Sequence, residues 1–337
     1  MTMKNTAPKR TLAYVISLAL AASLTACAPM NSDTRRSDTE SELLSEVFPE
    51  TNAELRDDEE NIETTVTAEE ITETETETTF LSELSLSYYS ISENGELKSF
   101  EFDGDHSKKI DIGNADSLII DSFDLRLSDF NYCPSLEKLF IDKSSSNDLK
   151  GIENFPNITM LEIDQDTYIS DISEIVKCKK IEDLTFHFAN SVSDYSYLGE
   201  LENLNDLYII LSGRYDEKDC KAVNIESLSS CKNLEYLGIQ GCYMESMDFL
   251  EPLTNLKELR FWTTCPEPMD ISPLSGMDKL EKLEITHYGS DDISVFLQMD
   301  NLKELDIHEQ GYSQESIDKL NEAFSDRKIE IDNGHNI

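Results

Sequence analysis

Tyr208, Ile210, Tyr236, Arg260 and Trp262 fall at matching places in three successive stretches of similar sequence, and Trp262 is the only tryptophan of the 337 residues. Their chemistry is recognition. Tyrosine, tryptophan and arginine contribute most of the energy at protein interfaces when they sit in a packed, desolvated patch. Catalysis or metal binding would need polar groups held a few ångströms apart. The five histidines are scattered; three of them, His187, His287 and His308, lie at or just after the ends of the same kind of stretch and read as solvated surface groups. No Gly-rich phosphate loop, His-Glu-x-x-His, Cys-x-x-Cys or Gly-x-Ser-x-Gly occurs. The sequence therefore assigns no catalytic residue, no metal ligand and no cofactor.

One cysteine has chemistry of its own. Lys4, Lys9 and Arg10 precede the apolar run from Leu12 to Leu24, shorter than the roughly 20 residues of a membrane span and laid out like a secretory signal. The run ends in Leu24-Thr25-Ala26-Cys27. This resembles the lipobox of bacterial lipoproteins, which implies removal of residues 1–26, a lipid on Cys27 and a place in the bacterial cell envelope outside the cytoplasmic membrane. The plainer alternative is an ordinary signal peptide followed by a chance cysteine.

The elements that must position the five recognition residues are read from a repeat. Leu256, Leu259 and Phe261 form a frame L-x-x-L-x-L, and its fourth-position leucine recurs as Leu118, Leu139, Leu161, Leu184, Leu207, Leu237, Leu259, Leu283 and Leu305. The steps are 21, 22, 23, 23, 30, 22, 24 and 22 residues. Such a period marks a solenoid, in which each unit buries its apolar face only against its neighbours. Side chains alternate along a strand, so positions 4 and 6 point into the core and positions 3, 5 and 7 point outward. Twelve residues before each leucine after the first lies a second apolar column, Leu127, Leu149, Ile172, Tyr195, Ile225, Met247, Ile271 and Ile293. A polar residue usually precedes it, as in Asp171, Asp194, Asn224, Asp270 and Asp292.

This two-part unit, clearest in Asp270-Ile271-Ser272-Pro273-Leu274, resembles the short bacterial leucine-rich repeats of the internalin type. The resemblance implies an α/β solenoid with a curved parallel sheet, a convex side of turns or 3₁₀ helix, and ligand binding through the concave face. The pattern departs from the family where an asparagine should follow the strand: Asp166 and Cys242 stand there in two units.

At the ends, Asn94-Gly95 between two alternating runs predicts a hairpin, and Ser313 caps an expected helix over 314–324 before a last strand, Lys328 to Asp332. The domain reading is thus 1–26 signal peptide, 27–80 tether, 81–114 β cap, 115–310 repeats and 311–337 carboxy-terminal cap. The tether is Glu/Thr-rich, ends near Thr72–Thr78 and has too few apolar residues to form a core.

A net charge of −41 argues against nucleic acid or an anionic membrane surface as a partner. Of the six cysteines beyond Cys27, Cys133, Cys178 and Cys231 share one core column two units apart, about 10 Å, too far to bridge. Cys220, Cys242 and Cys265 are expected in loops, with Cys242 and Cys265 the pair best placed for a disulfide. Two classes of function fit. One is a non-enzymatic binding module for a protein, peptide or glycan, in which Gly238 leaves a recess among the five residues and the insertion Ser212–Val223 walls it. The other is a passive envelope surface protein with no tight ligand.

Overall fold

Apolar alternation with a period of two produces the strands, and each return segment is too short for anything longer than a 3₁₀ turn. The computed structural model describes residues 87–187, 191–211, 222–264, 269–286, 291–308 and 312–332. The expectations for the signal segment, Cys27, the tether, most of the 212–223 insertion, His287, Cys220 and Cys265 lie outside the described residues.

A hairpin of β1 (Ser87–Glu93) and β2 (Glu96–Phe102) is followed by β3 (Ser117–Asp121), β4 (Lys138–Ser144), β5 (Met160–Thr167) and β6 (Asp183–Phe186). Then come β7 (Asp206–Ile210), β8 (Tyr236–Tyr243), β9 (Glu258–Thr264), β10 (Lys282–Thr286), β11 (Glu304–His308), helix α1 (Gln314–Ala323) and β12 (Lys328–Asp332). The strands form one sheet in the order β12-β11-β10-β9-β8-β7-β6-β5-β4-β3-β1-β2. From β3 to β12 every pairing is parallel and joins consecutive strands, each fourth-position leucine lying beside the next, as Leu237 beside Leu259 and Leu283 beside Leu305. This is a leucine-rich-repeat solenoid.

The two columns read from the sequence lie in the core. All nine fourth-position leucines are at most 1% exposed, and all eight residues of the second column are buried. The return segments run as 3₁₀ turns such as Ser173–Lys177, Ser196–Glu200 and Ser272–Gly276. The polar residue before the second column initiates them. Asp171, Asp194, Asp270 and Asp292 each accept a hydrogen bond from the backbone N–H two residues on, at 2.8–2.9 Å. Short polar side chains favour this local turn over helix.

A second polar column crosses between units. The Asn157, Asn203, Asn233, Asn255 and Asn301 side chains each donate to a backbone carbonyl one unit earlier, at 2.7–2.8 Å. They occupy the place just before the first apolar residue of the frame, so an asparagine ladder exists, before the strand rather than after it. Each bond satisfies a carbonyl that the turn leaves open.

The caps follow local chemistry. Asn94 and Gly95 both have positive φ, 56° and 84°, as a type I′ hairpin turn requires. β1 pairs antiparallel with β3, closing the edge of the first repeat. The Ser313 hydroxyl accepts from Ser316 N at 3.2 Å at the start of α1, which buries Leu320, with Phe324 at its end.

Two bulges alter the simple frame. β8 shifts register between Gln240 and Cys242, and Cys242 turns inward and is fully buried. The expectation that Cys242 lies in a loop is therefore wrong; it is a strand residue. Gly241 makes the bulge possible, because its φ is 73° and a Cβ there would stand 1.9 Å from the Leu211 carbonyl oxygen. Cys133, Cys178 and Cys231 are buried thiols, and each reaches a carbonyl one unit back, Cys231 Sγ at 3.3 Å from Leu198 O. Burial pushes the Cys178 thiol up to about 12 and the Cys231 thiol to about 11.

Candidate functional site

The five recognition residues occupy adjacent places on the open face of the sheet, the concave side in a solenoid of this class. Backbone pairing sets Asp206, Tyr236 and Glu258 in one row, Tyr208, Gly238 and Arg260 in the next, and Ile210, Gln240 and Trp262 in the third. All five are partly buried. Neighbouring parallel strands lie about 4.8 Å apart, so long side chains in one row cover those beside them.

The cluster divides in two. On one side the Tyr208 ring meets Tyr236 at 6.3 Å between centroids and stands edge-on to His187, also at 6.3 Å. The space above Gly238 is taken by Tyr208: a Cβ on Gly238 would lie 2.3 Å from its Cδ2 and 3.0 Å from the Tyr236 hydroxyl. The recess expected at Gly238 is therefore absent. Removing one side chain from a packed surface let the larger neighbour lie down on the backbone.

On the other side, Trp262 leans across the sheet to His308, ring centroids 5.0 Å apart at 72°. Its indole nitrogen is shut off from solvent with no hydrogen-bond partner among the described residues. Arg260 lies between carboxylates, Nε 3.3 Å from Glu258 Oε1 and 3.0 Å from Glu284 Oε2, with the three side chains only 13–15% exposed. Burial raises the Glu284 carboxyl above the usual glutamate range, and the Arg260 charge opposes that rise.

His187 and His308 are less solvated than the sequence suggested. His187 Nε2 lies 3.3 Å from Glu162 Oε1, with both side chains largely covered. His308 Nε2 lies 3.5 Å from Asp306 Oδ1 and 4.0 Å from Glu284 Oε1. Towards the amino-terminal end the face is acidic. Asp121, Asp142 and Asp164 hold the same place in three successive units, but β4 bulges between Ile141 and Lys143, so Asp121 lies beside Lys143, Nζ to Oδ1 2.7 Å. Burial, then the charges of Asp164, Asp121 and Glu162, push the Asp142 carboxyl up to about 6.

No protein-family model matches this chain, and none of the curated proteins matches it. Among solved structures, internalin C2 of Listeria monocytogenes aligns with 24% identity and a TM-score of 0.44, covering 55% of this chain and 77% of that one. A second internalin of the same organism, inlF, aligns with 19% identity and a TM-score of 0.46, over 61% of this chain and 63% of that one. The leucine-rich-repeat class itself rests on the strand register and buried columns of this chain. Among the described residues no helix is long and apolar enough to cross a membrane.

Proposed function

We propose that this protein is a non-enzymatic binding module, held at the bacterial cell envelope by a lipid on Cys27, whose open sheet face takes a protein, peptide or glycan. The supporting observation is the cluster itself. Tyr208, Ile210, Tyr236, Arg260 and Trp262 sit on three adjacent strands, and the buried indole N–H of Trp262 has no acceptor among the described residues. That buried unmet donor costs about 1–3 kcal/mol where it stands, so a ligand acceptor offsets it only by drawing the indole outward onto the open face. Arg260, already clasped by two carboxylates, is a rigid cation whose planar edge suits carboxylate or amide groups. The net charge of −41 repels nucleic acid and favours partners that are neutral or basic overall.

A photo-crosslinking side chain at Gln240, within the patch, tests this against the same group at Ser275 on the convex turns. The reading requires a discrete partner captured from Gln240, lost on Trp262→Ala, and not captured from Ser275. Equal capture from both faces, or capture indifferent to Trp262, would leave the face a passive surface. The anchor is tested separately. Cys27→Ser should release the protein from membranes in detergent-free buffer, and quantitative retention would refute the lipid assignment.

A further inference from the structure

Glu284 on β10 and Asp306 on β11 stand directly opposite each other in the parallel ladder, and His308 follows two residues after Asp306 on the same face. The strand alternation that places apolar residues inside therefore brings all three outward side chains together. One donor atom of each lies within 4.8 Å of the other two. His308 Nε2 is 3.5 Å from Asp306 Oδ1 and 4.0 Å from Glu284 Oε1. That nitrogen is covered from solvent and makes no hydrogen bond among the described residues.

We propose that Glu284, Asp306 and His308 bind a divalent transition-metal ion of the zinc class. Zinc holds imidazole nitrogen and carboxylate oxygen at about 2.0–2.2 Å, so two donors on one tetrahedral zinc are about 3.3–3.5 Å apart. The His308–Asp306 edge already has this length, and the His308–Glu284 edge needs a side-chain adjustment of about half an ångström. Two carboxylates match a 2+ charge, and the imidazole favours zinc, nickel or copper over calcium and magnesium, which take oxygen ligands.

The surroundings suit such a site. Arg260 Nε engages Glu284 Oε2 at 3.0 Å, which leaves Oε1 turned toward His308. An outer partner of this kind orients a metal-binding carboxylate. Trp262 packs edge-on against the His308 ring and limits its rotation. Three protein donors leave a fourth position open on the sheet face, available to water or to a donor group of a bound molecule. The metal site does not depend on the proposed partner binding.

Trp262, the only tryptophan, is a built-in reporter next to His308. The purified protein, stripped of metal with a chelator, is titrated with nickel(II), a paramagnetic quencher of nearby indole emission, and then with zinc as competitor. Saturable quenching that zinc reverses and millimolar calcium does not is the expected result. His308→Gln and Glu284→Gln should each weaken it at least about tenfold, the lower bound seen even for lost outer partners. His106→Gln, in the amino-terminal cap, should leave it unchanged. Melting curves taken in chelator show whether each variant folds. Tryptophan emission insensitive to nickel in the parent protein overturns the site, whatever the variants do. Quenching that survives in both folded ligand variants, or that calcium displaces, overturns it equally.

Discussion

Replacing Asp142 by asparagine should make the protein more stable at neutral pH, an unusual outcome for a substitution on a packed surface. Asp142 lies at the bulge of β4, half-covered, among Asp121, Glu162 and Asp164. Its carboxyl titrates at about 6 instead of 3.8, first because burial disfavours the charge and then because three carboxylates repel it. For an acid raised in the native state, the folded protein holds the proton more tightly than the unfolded chain between about pH 4 and 6. Stability therefore falls as pH rises through that window and stays at its lower value above it. At full strength the difference corresponds to about 3 kcal/mol. Because the group is partly exposed and Lys143 is close, solvent screening reduces this to about 1–2 kcal/mol. Urea unfolding of the parent and Asp142→Asn proteins at pH 8 and pH 5 provides the assay. The variant should gain about 1–2 kcal/mol at pH 8 and less at pH 5, where the native carboxyl is already largely protonated. No gain at pH 8, or a gain of the same size at both pH values, would refute the electrostatic reasoning.

Gly241→Ala should destabilise by more than about 2 kcal/mol, since φ of 73° disfavours any side chain and the Leu211 carbonyl oxygen leaves no room for one; denaturant midpoints check this, and an unchanged midpoint would contradict the bulge geometry. Cys178 and Cys231, buried and with thiols pushed up to about 12 and about 11, should resist alkylation at pH 8 in the native protein and react only after unfolding; mass spectrometry of iodoacetamide-treated native protein reads this directly.

The fold was largely legible because the solenoid repeats one decision. Every fourth-position leucine and every residue of the second column is buried, down to the substitutions Tyr195 and Met247. A column pattern says which way a side chain points, not how far it reaches. Trp262 reaches two strands over to His308, and Tyr208 folds onto Gly238, and neither follows from alternation. Bulges break the count for the same reason. One extra residue after Gln240 turns Cys242 from an expected loop position into the core. The cluster Glu284, Asp306 and His308 did have a sequence signal, acidic residues at position 5 of adjacent units with a histidine at position 7. The scatter of the histidines hides it, because the groups facing His308 are carboxylates on its own and the neighbouring strand.

Gly238 separates two pictures of the binding face. If a recess lay above it, a methyl group would fit and Gly238→Ala would change nothing. In the structure that methyl would press on the edge of the Tyr208 ring at 2.3 Å, and a ring on a rotatable side chain can yield where backbone cannot. The ring should swing off the sheet and lose its contact with Tyr236, worth about 0.5–1.5 kcal/mol for an aromatic pair. Nitration by tetranitromethane, mapped by mass spectrometry, should therefore rise at Tyr208 in Gly238→Ala while the melting temperature falls only slightly. A partner that uses the ring in its flat position would be weakened by the same substitution, because a rigid, preformed aromatic surface costs little entropy to engage and a displaced one costs more. Unchanged Tyr208 reactivity with a stability loss above about 3 kcal/mol would mean that the backbone of β8 had moved instead. The packing of the two tyrosines would then serve the scaffold, and the binding reading would rest on Arg260 and Trp262 alone.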